Sequence, residues 1–108
     1  MKFKTHNDKE INTNGTFHVG EICASFEQLL ETFGTPLAQS PDNKVDVEWH
    51  VDVRSHEGPI TIYNYKDGVA YLGEAGKNPV DIEVWNIGSN RAGKFLAPEI
   101  IETILNEK

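Results

Sequence analysis

Residues 44–53, with the sequence KVDVEWHVDV, alternate strictly between polar and apolar side chains. The odd positions hold valine or tryptophan, while the even positions from Asp46 to Asp52 hold acids or histidine. A period of two is typical of a β-strand with one face against a core and the other toward solvent. We therefore predict that the odd-numbered residues Val45 to Val53 face helices and that Trp49 belongs to the core.

Two further segments repeat this alternation and predict a three-strand meander. Residues 60–65 follow a turn at 54–59, and residues 80–88 follow a loop rich in glycine. Residues 16–22 predict another half-buried strand, and residues 1–14 an edge strand or a loose arm.

Two segments carry helix signals. Ser25 and Gln28 have the spacing of a capping box, an apolar stripe follows, and Gly34 with Pro36 ends the pattern. Pro98 opens a second amphipathic pattern near the C-terminus. We expect an α+β fold in a single domain, residues 1–108, with an antiparallel sheet (the meander plus an N-terminal strand) covered on one face by two helices.

Composition narrows the classes of function. Seventeen acidic against ten basic residues give a net charge of −7, which repels nucleic acid and anionic membranes and favours basic protein surfaces. The single cysteine, Cys23, excludes an internal disulfide and is best interpreted as a small buried hydrophobe. With no apolar run of membrane-spanning or signal-peptide character, we expect a soluble protein of the cytoplasm, without a cofactor.

The polar side of the predicted sheet concentrates carboxylates, contributed by Asp46, Glu48, Asp52, Asp81 and Glu83 beside His50. Same-face residues of a strand stand about 7 Å apart, too far to converge on one metal ion. A hydrolytic pair of carboxyl groups would need a desolvating cleft, which a flat sheet does not provide. We expect neither a metal site nor an enzyme, which leaves a solvated face or an acidic protein-binding patch.

Aromatic residues share this polar side. Tyr63 and Tyr65 alternate away from the apolar positions of their strand, and Trp85 falls on the side of Asp81 and Glu83, which predicts a bulge or an exposed aromatic surface. Exposed tyrosine and tryptophan are typical of an interface core, although a loop or arm could also cover these rings. A small phosphate-bearing ligand is the alternative, held by Tyr63, Asn64, Lys66, Trp85 and Arg91.

Several blocks between residues 26 and 92 resemble a family of small uncharacterised bacteriophage proteins. They are FGTP at 33–36, the end of the 44–49 segment, IYNYKDG at 62–68, Tyr71 and WNIG at 85–88. Tyr63 to Gly68 is the most specific block, with a tryptophan before it and WNIG after it. The resemblance implies a viral origin and carries over no catalytic residue.

Together these observations predict a non-enzymatic phage-type inhibitor in the host cytoplasm. It would bind a host defence or nucleic-acid-processing protein with a basic surface, as a DNA mimic of the anti-CRISPR or anti-restriction type. The sequence leaves open whether the protein also forms a homo-oligomer. The expected partner-binding residues are Asp46, Glu48, Asp52, Tyr63, Tyr65, Asp81, Glu83 and Trp85. The alternative is a small-ligand binder that sequesters a nucleotide immune signal.

Overall fold

A computed structural model describes residues 2–6, 16–37, 47–54, 56, 58–64, 81–90 and 96–107. Five antiparallel strands form one open sheet in the order β1-β3-β4-β5-β2, and two helices accompany it. The predicted α+β class is confirmed. The elements are β1 (Phe3–His6), β2 (Phe17–Cys23), α1 (Phe26–Phe33), β3 (Glu48–Val53), β4 (Ile60–Tyr63), β5 (Val84–Ser89) and α2 (Ala97–Asn106).

The sheet has one strand more than expected. The predicted meander β3-β4-β5 is present and lies in the middle, and both N-terminal strands join it, one at each edge. Phe3 pairs with Val53, and Ile22 pairs with Trp85. These partners are far apart in sequence, and alternation within a strand does not reveal which strand lies beside it.

The hydrophobic core lies between the sheet and the two helices. Trp49, Val51 and Val53 of β3 are buried there, as predicted for the odd positions, and Val47 packs partly against the same core. Val45 lies outside the described residues. The helices contribute Leu29, Phe33, Ala97, Ile101 and Ile104.

Helix α1 begins and ends at the predicted residues. The Ser25 hydroxyl accepts from the Gln28 backbone N–H at 3.1 Å, and the Gln28 side chain accepts from the Ser25 N–H at 2.9 Å. This reciprocal pair is the capping box that the sequence predicts. At the other end Gly34 has a φ of 82°, and its N–H donates to the Leu30 carbonyl at 2.9 Å. Glycine adopts this backbone region without steric cost, so the helix ends there.

Trp85 is a core residue, and the prediction that it is exposed is wrong. Strand β5 begins at Val84 rather than at residue 80, so the alternation starts afresh inside the segment. Val84 is 45% exposed and Trp85 is 0% exposed, the reverse of the predicted parity. The Trp85 indole N–H donates to the Ala24 carbonyl at 3.0 Å, and its ring meets that of Trp49 edge to face at 5.6 Å.

Replacing Trp85 should therefore destabilise the fold rather than remove a contact surface. We expect Trp85→Ala to lower the free energy of unfolding by about 3 to 5 kcal/mol, because it leaves a cavity and an unpaired Ala24 carbonyl. Val84→Ala is the matched control on the opposite face and should cost less than about 1 kcal/mol. Urea unfolding, monitored by circular dichroism, measures the free energy of unfolding of both variants. Equal losses of stability in the two variants would contradict the assignment of Trp85 to the core.

Candidate functional site

The sheet has a second face, which points away from the helices. We call it the outer face. The alternation of each strand and the cross-strand register assign to it Lys2, Lys4 and His6 of the β1 side, Glu48, His50, Asp52 and Arg54 of the β3 side, Thr61 and Tyr63 of β4, Asn86 and Gly88 of β5, and Glu21 and Cys23 of β2.

Glu48 and Asp52 project from this face as predicted. Asp52 is the more open, with 51% of its side chain exposed, and it accepts a hydrogen bond from the Nε2–H of His6 at 2.7 Å. Glu48 is more enclosed, at 18%. Asp46 lies outside the described residues.

His50 is buried at the centre of the outer face, which the sequence did not indicate. Its side chain is 2% exposed, and in the described part of the chain neither ring nitrogen has a hydrogen-bond partner. The Glu48 Oε1 lies 3.2 Å from Nε2, within ion-pair distance but outside hydrogen-bond geometry, so we treat the pair as a close contact. The outer face is thus exposed and mostly polar at its edges, whereas His50, Thr61 and Gly88 in its middle are buried.

Tyr63 lies on the outer face directly across from Glu48 in the β3–β4 register. It is half-buried, and its ring extends over Gly88 of the neighbouring strand. A side chain at position 88 would come within 3.4 Å of the Tyr63 Cε1 and would collide with the Thr61 Oγ1. Gly88 therefore provides the space in which the ring of Tyr63 rests, with an acid as its cross-strand neighbour.

Asp81 and Glu83 are exposed, but they precede β5 instead of lying within it. The prediction of a strand is therefore wrong at residues 81–83, and residue 80 lies outside the described residues. The Glu83 carbonyl accepts from the Ala24 N–H at 2.9 Å, which holds this segment beside the start of α1. Tyr65 lies outside the described residues.

The described residues of the alternative ligand site, which are Tyr63, Asn64 and Trp85, do not share one surface. Trp85 is in the core, and Asn64 is 0% exposed, with its side-chain oxygen accepting from the Val47 N–H at 3.2 Å. Lys66 and Arg91 lie outside the described residues. Of the five candidates, only Tyr63 is placed on a surface that a ligand could reach.

His56 and Ser89 form a pair that superficially resembles a catalytic dyad. The Nδ1–H of His56 donates to the Gly58 carbonyl at 3.2 Å, which leaves Nε2 to accept from the Ser89 hydroxyl at 3.2 Å. Ser89 is, however, 0% exposed and cannot meet a substrate. The contact instead fastens the β3–β4 turn to β5.

Other chemistry is limited in the regions that the structure describes. Within them, no three His, Cys, Asp or Glu side chains are arranged to hold a metal ion, and no helix is long and apolar enough to cross a membrane. Cys23 is exposed, so the prediction that it is buried is wrong: it alternates with the buried Ile22 on an edge strand.

Sequence reasoning missed a cluster of basic residues on the outer face. Lys2, Lys4 and Arg54 meet at the end of the β1–β3 pair. The period-two spacing of Lys2, Lys4 and His6 was visible, but the residues opposite them depend on the β1–β3 register. Glu21 was missed for the same reason, because it reaches this face only through the pairing of β2 with β5.

Comparison with protein-family models and with curated protein sequences finds no match to this chain. The resemblance to the bacteriophage family therefore stays a prediction.

Proposed function

We propose that this chain is a non-enzymatic, phage-type inhibitor that binds a host defence or nucleic-acid-processing protein through the outer face. The observation that carries the proposal is the cross-strand pair of Glu48 and Tyr63. A half-buried ring beside a carboxylate is suited to a basic protein surface, because the ring offers desolvated contact area and the carboxylate offers charge complementarity.

The position of the described cations supports protein binding by Tyr63 over phosphate binding by the same ring. Arg54 lies beyond the opposite end of β3 from Glu48, about 20 Å along the strand. Tyr63 thus has an acid beside it, with the described lysines and arginine remote. A phosphate stacked on this ring would be repelled by Glu48.

Asp52 extends the acidic character along β3, and Glu21 adds an exposed carboxylate from β2. In the proposed complex these carboxylates take the place of DNA phosphates in a basic groove. We include Asp46 from the sequence pattern, together with the exposed Asp81 and Glu83, and we leave out Trp85 because it is in the core. The site of action would be the host cytoplasm.

Charge removal tests the acidic contribution. Affinity capture from bacterial lysate with mass spectrometry identifies the partner, and calorimetry then measures its affinity at low and high salt. We expect the triple variant Asp46→Asn, Glu48→Gln, Asp52→Asn to bind more weakly and with a flatter salt dependence, since each exposed pair contributes about 0.2 to 1 kcal/mol.

The matched control removes three exposed charges from α2 and its C-cap, through Glu99→Gln, Glu102→Gln and Glu107→Gln. It has the same net charge as the triple variant and should bind as the unmodified protein does. An equal loss in both variants, or an affinity independent of salt, would contradict the assignment to the outer face.

Tyr63→Ala tests the aromatic anchor. We expect it to weaken partner binding by about 2 kcal/mol or more, as for a ring at the centre of an interface, while Tyr63→Phe retains most of the affinity. Phe17→Ala is the control, because Phe17 is an aromatic residue that is 45% exposed on edge strand β2. Unchanged binding by Tyr63→Ala in a protein that remains folded by circular dichroism would remove Tyr63 from the interface.

A further inference from the structure

A separate feature of the fold lies at one end of the β1–β3 pair, where an open hollow of about 270 Å³ is lined by Lys2, Phe3, Lys4, Asp52, Val53 and Arg54. Three of these six residues are cationic. This hollow, which we call the basic hollow, is distinct from the Glu48–Tyr63 pair.

The strand register brings the three cations together. The Arg54 N–H donates to the Lys2 carbonyl at 3.0 Å, and Lys4 pairs with Asp52 in the next rung of the same face. Side chains two residues apart on a strand point the same way, so Lys2 and Lys4 flank one side while Arg54 closes the other. The convergence is thus built into the backbone pairing.

The charge of the basic hollow contrasts with the rest of the described chain. Within the described ranges Lys2, Lys4 and Arg54 are all of the lysines and arginines, whereas acids occur on β2, β3, both helices and the segment before β5. A cluster of like charges stores repulsion that an anion would relieve.

The three cations have no acidic partner within the described ranges. In the part of the chain that the structure describes, no carboxylate forms an ion pair with Lys2, Lys4 or Arg54. Asp52 stands among them, but its Oδ2 is bound by the His6 Nε2–H at 2.7 Å. The Asp52 carboxylate is therefore held by His6 and offsets one of the three positive charges without forming an ion pair with any of them.

From this arrangement we propose that the basic hollow binds the phosphate group of a small phosphate monoester. Three positive charges less the one negative charge of Asp52 leave the basic hollow with a net charge of +2, which matches a phosphate dianion. The guanidinium can also donate two parallel hydrogen bonds to the phosphate oxygens. A ligand with a single carboxylate would neutralise only half of this net charge.

The net charge of the whole protein favours a small ligand over a polyanion. At physiological ionic strength, interactions between exposed charges are screened over about 8 Å, so a small anion in the basic hollow responds mainly to the three cations and Asp52, whose sum is positive. An extended nucleic acid would instead pass over the acidic surfaces of a chain whose net charge is −7.

Titration of isotope-labelled protein with inorganic phosphate, and separately with AMP, tests the proposal by amide chemical shifts at constant ionic strength. We expect saturable shifts at Lys2 to Lys4 and Asp52 to Arg54, and none with an equal concentration of chloride. Lys4→Gln and Arg54→Gln should each raise the dissociation constant about tenfold, the effect of losing one charge-assisted contact. Tighter binding of AMP than of phosphate would extend the site to a nucleotide.

Asn106→Asp is the matched control, since it lowers the net charge by the same unit as Lys4→Gln but lies on α2, which packs against β2 and β5 at the other side of the sheet. It should leave the dissociation constant unchanged. Shifts that do not saturate, that chloride reproduces, or that the control variant weakens equally would overturn the proposal. So would sedimentation with phosphatidylglycerol vesicles in the absence of saturable shifts from free phosphate, because the anion would then belong to a membrane surface.

Discussion

The fold depends on two indole hydrogen bonds that hold α1 at both ends. The Trp49 N–H donates to the Gly34 carbonyl just after the helix, and the Trp85 N–H donates to the Ala24 carbonyl just before it. Each buried donor would cost about 1 to 3 kcal/mol if it were left unpaired, so the position of α1 over the sheet is determined from two points. A helix of eight residues is marginal in water and needs such tertiary contacts. Phe26 adds to the cluster, with its ring 6.0 Å from Trp49 and 6.1 Å from Trp85.

Because the Phe26–Trp49–Trp85 cluster packs on the inner face, the two faces of the sheet differ in role. The inner face is committed to packing against the helices, and both tryptophans are used there. The outer face keeps Glu48, Asp52 and Tyr63 at positions that solvent reaches, and the basic hollow lies at the C-terminal end of β3, beside Asp52 and Val53. The Glu48–Tyr63 pair and the basic hollow can coexist on such a small sheet because Glu48 and Arg54 are about 20 Å apart along β3, with Asp52 bordering both sites, and because salt screens the remaining interaction.

Local sequence predicted what depends on neighbours in the chain. The alternation at residues 44–53 predicted the inner residues of β3, and Ser25, Gln28 and Gly34 predicted both ends of α1. Trp85 was misassigned because the predicted alternation was carried through residues 81–83, which are not part of a strand. A shift of one residue moves every side chain to the opposite face of the sheet. Asn64, His50 and the basic hollow could not be predicted, since their surroundings come from strands distant in sequence. The site was therefore only partly predictable: Glu48, Asp52 and Tyr63 are on the outer face, whereas Trp85 is not.

The most direct test of this account is the exposure of the two tryptophans to a soluble quencher. They are the only tryptophans in the chain and both are 0% exposed, so the emission reports on them alone when excitation avoids tyrosine. The account predicts blue-shifted emission and acrylamide quenching several-fold weaker in the folded protein than in urea. Equal quenching of folded and unfolded protein, with the folded state verified by circular dichroism, would contradict it, because at least one indole would then lie at the surface.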